Sequence, residues 1–360
     1  MQTLSDRALN RATLARQHLL KRSDLSAVEM VSHLGGMQAQ APLSPYVGLW
    51  TRLASFAPED LAGPLLERRL VRAVLQRATV HLVTAEDALY LRPLVDRLLE
   101  ARFDGHFRAA IEGLDRTAFR AAARELTAEA AYQRPALGRA LADRFPGHDA
   151  EMLSYAAVYM TPLAQTTPRG VWGASTAAAP LIGLETWLGG PMEPDPSPGR
   201  LVLRHLGAFG PATVADVQLW CGLTRLKEVA ERLDLVRFRA ADGRLLYDLP
   251  DAPRPPEDVP APPRLLPEYD NLLLSHKDRS RVIPERRRVP LPPGHGASGG
   301  TFLLDGLWRG EWKFAADGAF ELHPHVPLRP SDEEALTAEG LALARWAGRE
   351  VAEARVLPPA

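Results

Sequence analysis

Residues 201–249 read LVLRHLGAFGPATVADVQLWCGLTRLKEVAERLDLVRFRAADGRLLYDL. Three stretches have the apolar spacing of short helices and two β-rich stretches follow them, at 201–208, 214–221, 225–233, 235–239 and 244–249. Thr213 and Thr224 are the expected N-caps of the second and third helices. Asp242-Gly243 joins the two strands and supplies the positive φ angles of a tight hairpin turn. Helices followed by a hairpin predict a winged-helix unit.

The same order of helices and a β-ribbon recurs upstream. Ser26 and Glu29 form a predicted capping box that opens a short helix, and Gly35-Gly36 end that helix. Further predicted elements are strands at 70–75 and 79–83 and helices at 85–100, 117–126, 135–145 and 150–160. The pattern predicts two more winged-helix units before residue 196.

The last third of the chain is predicted to be a separate unit. Residues 250–267 contain eight prolines and read as an extended connector. Predicted strands at 302–304, 307–312 and 319–323 follow, and a helix at 333–354 closes the unit. We therefore divide the chain into winged-helix units at 1–110, 111–195 and 196–250, a connector at 251–268 and a β-rich unit at 269–360. The fold class is mostly α with β-ribbons (α+β), with the three tandem winged-helix units around a concave groove.

Composition excludes several classes of protein. The chain has 43 Lys and Arg against 44 Asp and Glu, a net charge of −1, which excludes a uniformly basic coat. No apolar run approaches the ~20 residues that a membrane span needs. The start lacks the apolar core of a secretory signal and Cys221, the one cysteine, has no disulfide partner, so we expect a cytoplasmic protein.

Any basic surface must therefore be local. Residues 7–22 hold five basic and no acidic residues, and residues 277–288 hold six basic and two acidic residues. Phosphate binding is a natural use of such clusters, and a solvated, idle surface is the alternative. Arg225 and Lys227 lie near the helix that a helix-turn-helix presents to DNA. Because acidic residues share that helix, protein binding or a scaffold role stays open for it.

The segment 36–42 reads GMQAQAP. Its glycines end a helix and its proline disfavours another, so the segment is expected to be extended. Gln38 and Gln40 then face the same side and present two neutral amides to one small volume. Such a pair can hold a water and stabilise charge that develops on a nearby sugar. The alternative is that both amides satisfy backbone groups at a helix–strand junction.

Four segments together resemble the AlkZ/YcaQ family of DNA glycosylases over nearly the whole chain: 36–42, 77–82 (RATVHL), 205–249 and 269–279 (YDNLLLSHKDR). The resemblance implies three tandem winged helices and a C-terminal β domain that form a concave DNA-binding surface. It also implies that a Gln-aliphatic-Gln motif, here Gln38, Ala39 and Gln40, carries the catalysis. Because Gln40 is not an aspartate, the chain looks like the AlkZ branch.

The resemblance implies a DNA glycosylase that hydrolyses the N-glycosidic bond of bulky or N7-alkylated purines. Alkylation at N7 makes the base positive and weakens the bond, so neutral amides could suffice. The same hydrolysis at a crosslinked purine would unhook an interstrand crosslink, either in DNA repair or in self-resistance to a DNA-alkylating compound. We expect a monomeric enzyme that acts on double-stranded DNA. Because lysines that could form a Schiff base are few, we expect water to be the nucleophile and the enzyme to be monofunctional. Two alternatives stay open for this water: it attacks the sugar with little help from a base, or an Asp or Glu from elsewhere in the chain assists it. A non-catalytic winged-helix transcriptional regulator is the alternative.

The remaining candidates are polar residues near these segments. His81 on a predicted strand could contact phosphate or substrate, or be structural. His276, Lys277 and Arg279 could line the site or hold DNA, and three further arginines are expected to contact phosphates: Arg286, Arg287 and Arg288. No metal or other cofactor is indicated, because His323 and His325 are an isolated pair. Residues 294–300 read as a flexible loop and match no nucleotide-binding motif.

Overall fold

The computed structural model describes residues 1–289, 298–351 and 353–359, except for the side chain of Arg286. It is an α+β fold. The described α-helices are α1 (Asp6–Arg16), α2 (Ala27–His33), α3 (Ser44–Trp50), α4 (Glu59–Leu66), α5 (Ala85–Phe107), α6 (Arg116–Glu129), α7 (Arg134–Arg144), α8 (Ala150–Met160), α9 (Leu184–Leu188), α10 (Pro198–Phe209), α11 (Val214–Cys221), α12 (Lys227–Glu231) and α13 (Pro330–Trp346). None of these helices is long and apolar enough to cross a membrane.

The described strands are β1 (Thr3–Leu4), β2 (Met37–Gln38), β3 (Leu70–Val74), β4 (Val80–Thr84), β5 (Leu163–Gln165), β6 (Leu181–Gly183), β7 (Val236–Ala240), β8 (Leu245–Asp248), β9 (Arg264–Pro267), β10 (Gly299–Leu304), β11 (Leu307–Phe314), β12 (Phe320–Pro324) and β13 (Ala354–Val356). They form sheets with the orders β2-β4-β3-β5-β6, β1-β7-β8 and β13-β12-β11-β10-β9.

Antiparallel strand pairs follow groups of helices at three places. The pair β3–β4 follows α2 to α4, the pair β5–β6 follows α6 to α8, and the pair β7–β8 follows α10 to α12. Strand β5 also pairs with β3, and β1 adds in parallel to β7. The division of the chain into three winged-helix units stays a prediction.

Local sequence signals account for several element boundaries. Ser26 and Glu29 form the predicted capping box of α2, and Thr213 caps α11 together with Asp216. Thr224 was wrongly expected to cap the next helix. Helix α12 begins at Lys227 without a side-chain cap, because the preceding Leu226 N–H donates to Gln218 Oε1 at 3.0 Å and holds the loop on α11.

The C-terminal part differs from its prediction at three points. Helix α13 ends at Trp346 instead of residue 354, because Gly348 adopts a φ of 66° and turns the chain back, and 354–356 form a strand. The proline-rich segment ends in β9, an edge strand, where proline is tolerated. Residues 294–297 of the predicted loop 294–300 lie outside the described residues. The end of that loop, from residue 299, belongs to strand β10 (Gly299–Leu304) instead.

A shared core fixes the 36–42 segment against the C-terminal unit. Residues of α2, α3 and α4 pack in one apolar cluster with Leu265, Trp312 and Leu343. Burial of these large side chains from both parts stabilises the position of the segment between them. The candidate site lies at this junction.

Candidate active site and nucleic-acid interface

Gln38 lies on a short strand at the end of a helix. Gly35 and Gly36, with φ angles of 64° and 96°, end α2 and turn the chain into β2. Strand β2 pairs antiparallel with β4, so that Gln38 lies opposite His81. Only 9% of the Gln38 residue surface is exposed.

Arg77 connects Gln38 to two distant parts of the chain. It lies in the 3₁₀ turn Gln76–Ala78 between β3 and β4. Its Nη2 donates to Gln38 Oε1 and to Asn271 Oδ1, both at 2.8 Å, and its Nη1 donates to the Trp220 carbonyl at 2.7 Å. Asn271 Nδ2 in turn donates to the Gly36 carbonyl at 3.2 Å. Sequence reasoning missed Arg77 and Asn271 as site residues, although both lie in segments that carry the family resemblance.

His81 is a neutral, buried histidine. Its Nδ1 lies 3.0 Å from the Thr79 carbonyl, an acceptor, so this nitrogen carries the proton. Its Nε2 lies 3.3 Å from Arg77 Nη2, which can only donate. Burial and then the charge of Arg77 lower the pKa of His81 to about 3. With 1% exposure, His81 has the structural position that was considered as the alternative, and contact with phosphate or substrate stays a prediction.

Gln40 is exposed and holds a backbone group. Ala39 N–H donates to the Val80 carbonyl at 2.8 Å, while the Ala39 carbonyl accepts from Arg72 Nη2 at 2.9 Å. The Val80 N–H therefore has no strand carbonyl to meet, and it donates to Gln40 Oε1 at 3.2 Å. Gln40 thus has the junction role considered as the alternative, and its amide nitrogen is left without a partner in the described residues.

A small cavity lies beside Gln38. Its volume is about 20 Å³, enough for one water molecule. Gln38, Arg52, Glu268, Asp270 and Asn271 are in its wall, whereas Gln40 is not. The structure therefore places two carboxylates at the same cavity as Gln38.

Asp270 is neutralised by a buried arginine. Arg52 donates to both of its carboxylate oxygens at 2.9 Å, and also to Gln17 Oε1 and the Gly48 carbonyl. Glu268 is 3% exposed in the same wall. Neither carboxylate was a sequence candidate, because each becomes part of the site only through the packing of 268–271 against β2.

A larger cleft collects basic residues. It has a volume of about 1000 Å³ and lies between the start of α11, the hairpin β7–β8 and residues 277–287. We call it the basic cleft, and its wall includes four of the predicted DNA contacts: Lys227, Lys277, Arg279 and Arg287. Asp242 and Asp278 also line it, but both pair with Arg244 at 2.5 Å. Lys277 and Arg279 form no ion pair within the described part of the chain.

Other predicted contacts lie elsewhere. His276 is 1% exposed, its Nε2 lies 3.1 Å from the Phe209 carbonyl, and burial lowers its pKa well below the usual value. His276 therefore has a structural contact in this fold, and its predicted role in lining the site or holding DNA stays a prediction. Arg225 and Arg288 are exposed but do not line the cleft, and the Arg286 side chain lies outside the described residues.

Four of the five basic residues in the cluster at 7–22 pair with carboxylates of the chain. Arg7 and Arg11 bind Asp305, and Arg16 forms a buried ion pair with Asp248 at 2.6 Å. These partners lie more than 200 residues away in sequence, so the cluster resembled a free basic surface. The three arginines are used to hold α1 against the rest of the chain.

Fold and site together define an α+β protein with a polar, water-sized cavity and a separate basic cleft. The family model described as DNA glycosylase AlkZ-like matches residues 31–346 of the 360. The chain therefore belongs to the AlkZ-like DNA glycosylase family, and its partner is DNA.

A solved structure agrees with this fold. Streptomyces sahachiroi DNA glycosylase AlkZ superposes with a TM-score of 0.75, covering 99% of this chain and 100% of that chain. The two sequences are 19% identical, so the likeness concerns the fold alone. A search of curated proteins found no match.

Charge removal in the basic cleft should weaken DNA binding without changing sequence preference. Replacing Lys277 and Arg287 by alanine should remove the predicted phosphate contacts, and phosphate contacts carry no base information. The slope of log affinity against log salt should fall by about 1 for each lost contact. Binding titrations at several salt concentrations measure this slope.

Arg144→Ala is the matched control for this experiment, because Arg144 pairs with Glu125 on the protein surface and is not in the cleft wall. It should leave the slope unchanged. An unchanged slope in the Lys277, Arg287 variant would exclude the cleft as the interface, and an altered sequence preference would indicate base readout instead.

Proposed function

We propose that this glycosylase hydrolyses the N-glycosidic bond of bulky or N7-alkylated purines in double-stranded DNA, with Gln38 and Gln40 as its catalytic residues. The observation that carries the proposal is the water-sized cavity beside Gln38. A water held there has the amide of Gln38 and two carboxylates around it. A nucleophile for hydrolysis is then provided by the site itself.

The chemistry of the leaving group fits neutral catalytic residues. A purine alkylated at N7 carries a positive charge, and it departs as a neutral base without a strong general acid. The sugar becomes positively charged in the transition state, and fixed dipoles and negative groups near it stabilise that charge. Gln38 and Gln40 supply amide dipoles, and Glu268 supplies a carboxylate in the cavity wall, whereas the charge of Asp270 is already balanced by Arg52.

The basic cleft is the proposed DNA-binding surface. Lys227, Lys277, Arg279 and Arg287 would bind phosphates, with Arg286, Arg288 and Arg225 nearby in sequence. We propose that three tandem winged-helix units form the scaffold and that the protein acts as a monomer in the cytoplasm. Hydrolysis at a crosslinked purine would unhook an interstrand crosslink, either in general repair or in self-resistance to a DNA-alkylating compound.

Base release from defined duplexes tests the proposal. Duplexes with N7-methylguanine, a bulky N7 adduct or unmodified guanine are incubated with the protein, and the free base is quantified by chromatography. We expect release of alkylated bases only, with an intact abasic strand. Borohydride should trap no covalent complex, because water and not one of the four lysines is the nucleophile.

The alternative class gives a different result in the same assay. A transcriptional regulator would bind all of the duplexes and release no base. A borohydride-trapped complex would show a Schiff base and contradict the monofunctional reaction.

A further inference from the structure

We infer that Arg77 is a positioning residue that fixes the Gln38 amide with its NH₂ group turned toward the water-sized cavity. This inference rests on the proposed catalytic role of Gln38. In this orientation Gln38 donates a hydrogen bond to the water. The water then donates its own hydrogens to acceptor groups elsewhere in the cavity wall.

The hydrogen-bonding capacity of each partner sets the orientation of Gln38. A guanidinium group has only donors, so the Gln38 atom 2.8 Å from Arg77 Nη2 must be the carbonyl oxygen Oε1. Turning the amide over would place its NH₂ against the charged guanidinium, donor against donor. The Nε2 atom of Gln38 therefore points away from Arg77, and it makes no hydrogen bond to any residue in the described ranges.

Gln40 is oriented by the same rule. Its partner is the Val80 N–H, again a pure donor, so Oε1 faces the backbone and Nε2 is free to meet another molecule. In both glutamines the carbonyl oxygen is taken by a donor and the NH₂ group is directed away from that donor.

Arg77 is itself held rigidly. Its guanidinium is fixed by Asn271 and by the Trp220 carbonyl, and Asn271 is fixed by the Gly36 carbonyl. Burial lowers its pKa to about 10, so it stays cationic at neutral pH. No carboxylate in the described residues forms an ion pair with it, although a partly buried charge without such a partner has a desolvation cost. Positioning of Gln38 gives a reason for keeping a charge at this place.

The orientation has a chemical consequence for the water. An NH₂ donor binds a lone pair of the water oxygen, so the water directs its hydrogens toward acceptors. The acceptors in the same wall include the carboxylates of Glu268 and Asp270. The second lone pair of the water is left for attack on the sugar carbon.

A double-mutant cycle tests whether Arg77 acts through Gln38. Single-turnover base release is measured for the wild type, Arg77→Met, Gln38→Ala and the double variant, at protein concentrations that saturate the DNA. Arg77→Met should slow release by about 10²-fold. The half-saturating protein concentration should not change, because the guanidinium of Arg77 is held by groups of the protein and Arg77 is not in the wall of the basic cleft. The double variant should be no slower than Gln38→Ala alone.

Arg92→Met is the matched control. Arg92 is an arginine that is more buried than Arg77, at 1% exposure, and it donates to the Tyr159 carbonyl and pairs with Asp96, away from Gln38. The rate per folded molecule should stay at the wild-type value. Losses that multiply in the Arg77, Gln38 double variant, or an unchanged rate in Arg77→Met, would overturn the inference.

Gln38→Glu provides a second test if Arg77→Met fails to fold. Glutamate keeps an oxygen for Arg77, in a charged pair, but has no NH₂ to present. We expect about the same 10²-fold loss as in Gln38→Ala, and wild-type activity in this variant would overturn donor presentation. Absence of base release by the wild type on every adduct would instead remove the proposed function, and the two failures are thereby distinguished.

Discussion

Gln38→Ala and Gln40→Ala should each lower single-turnover base release from N7-methylguanine DNA by about 10²-fold or more. The expected magnitude is that of losing one group that stabilises the transition state. Gln38 lines the water-sized cavity, and alanine would leave the water without its amide. Gln40 is exposed two residues further along the chain, and its NH₂ group is the second proposed catalytic donor. Quench-flow or manual sampling with protein in excess over DNA measures the rate.

DNA binding and folding should change little in these variants. Gln40 makes one bond to a backbone N–H and Gln38 one bond to Arg77, and neither lines the basic cleft. Gln133→Ala, at an exposed glutamine before α7, is the control and should retain full activity. A fall in melting temperature that parallels the fall in rate would support the junction role of the glutamines instead of catalysis.

Arg52→Met should lower the free energy of unfolding by about 3–5 kcal/mol, because it leaves a buried carboxylate without its partner. Arg52 and Asp270 have side chains that are 1% and 3% exposed, so solvent cannot replace the lost interaction. Arg52 also holds Gln17 and the Gly48 carbonyl. Urea unfolding measured by circular dichroism gives the free energy.

Two further variants separate charge from packing. Arg52→Met with Asp270→Asn removes both charges and should recover part of the lost stability. Arg144→Met breaks an exposed pair with Glu125 and should cost less than about 1 kcal/mol. An Arg52→Met loss as small as that of Arg144→Met would show that the ion pair does not hold the cavity wall.

Local signals made much of the fold predictable from the sequence. The hairpin β7–β8 follows from the Asp242-Gly243 turn, where Gly243 has a φ of 89°. The start of α2 follows from the Ser26 and Glu29 capping box. Such features depend on a few neighbouring residues. The spacing of apolar residues, which predicts the helices and strands around them, is also a local property of the sequence.

The contacts that build the site depend on distant residues. Arg77 and Asn271 are 194 positions apart, and Arg52 and Asp270 are 218 apart. Nothing in the local pattern around Arg77 shows that its guanidinium will meet Gln38. For the same reason the arginines of α1 looked free until Asp248 and Asp305 were seen to pair with them.

The burial of His81 and His276 was also hidden from the sequence. A histidine on a strand or in a polar segment can face solvent or core, and the difference is set by what packs on it. The Phe209 carbonyl that accepts from His276 comes from the end of α10, 67 positions away. Residue type alone therefore does not show where tertiary packing removes a side chain from solvent.

The most direct test of the account is the release of N7-methylguanine from duplex DNA in a single turnover, at saturating protein, by the wild type and by the Gln38→Ala, Gln40→Ala double variant. The account predicts that the wild type liberates the free base and leaves an intact abasic strand. The double variant should bind the DNA equally well and release the base at least about 10²-fold more slowly. Equal rates for the two proteins would contradict the account, as would a wild type that binds the duplex and liberates no base.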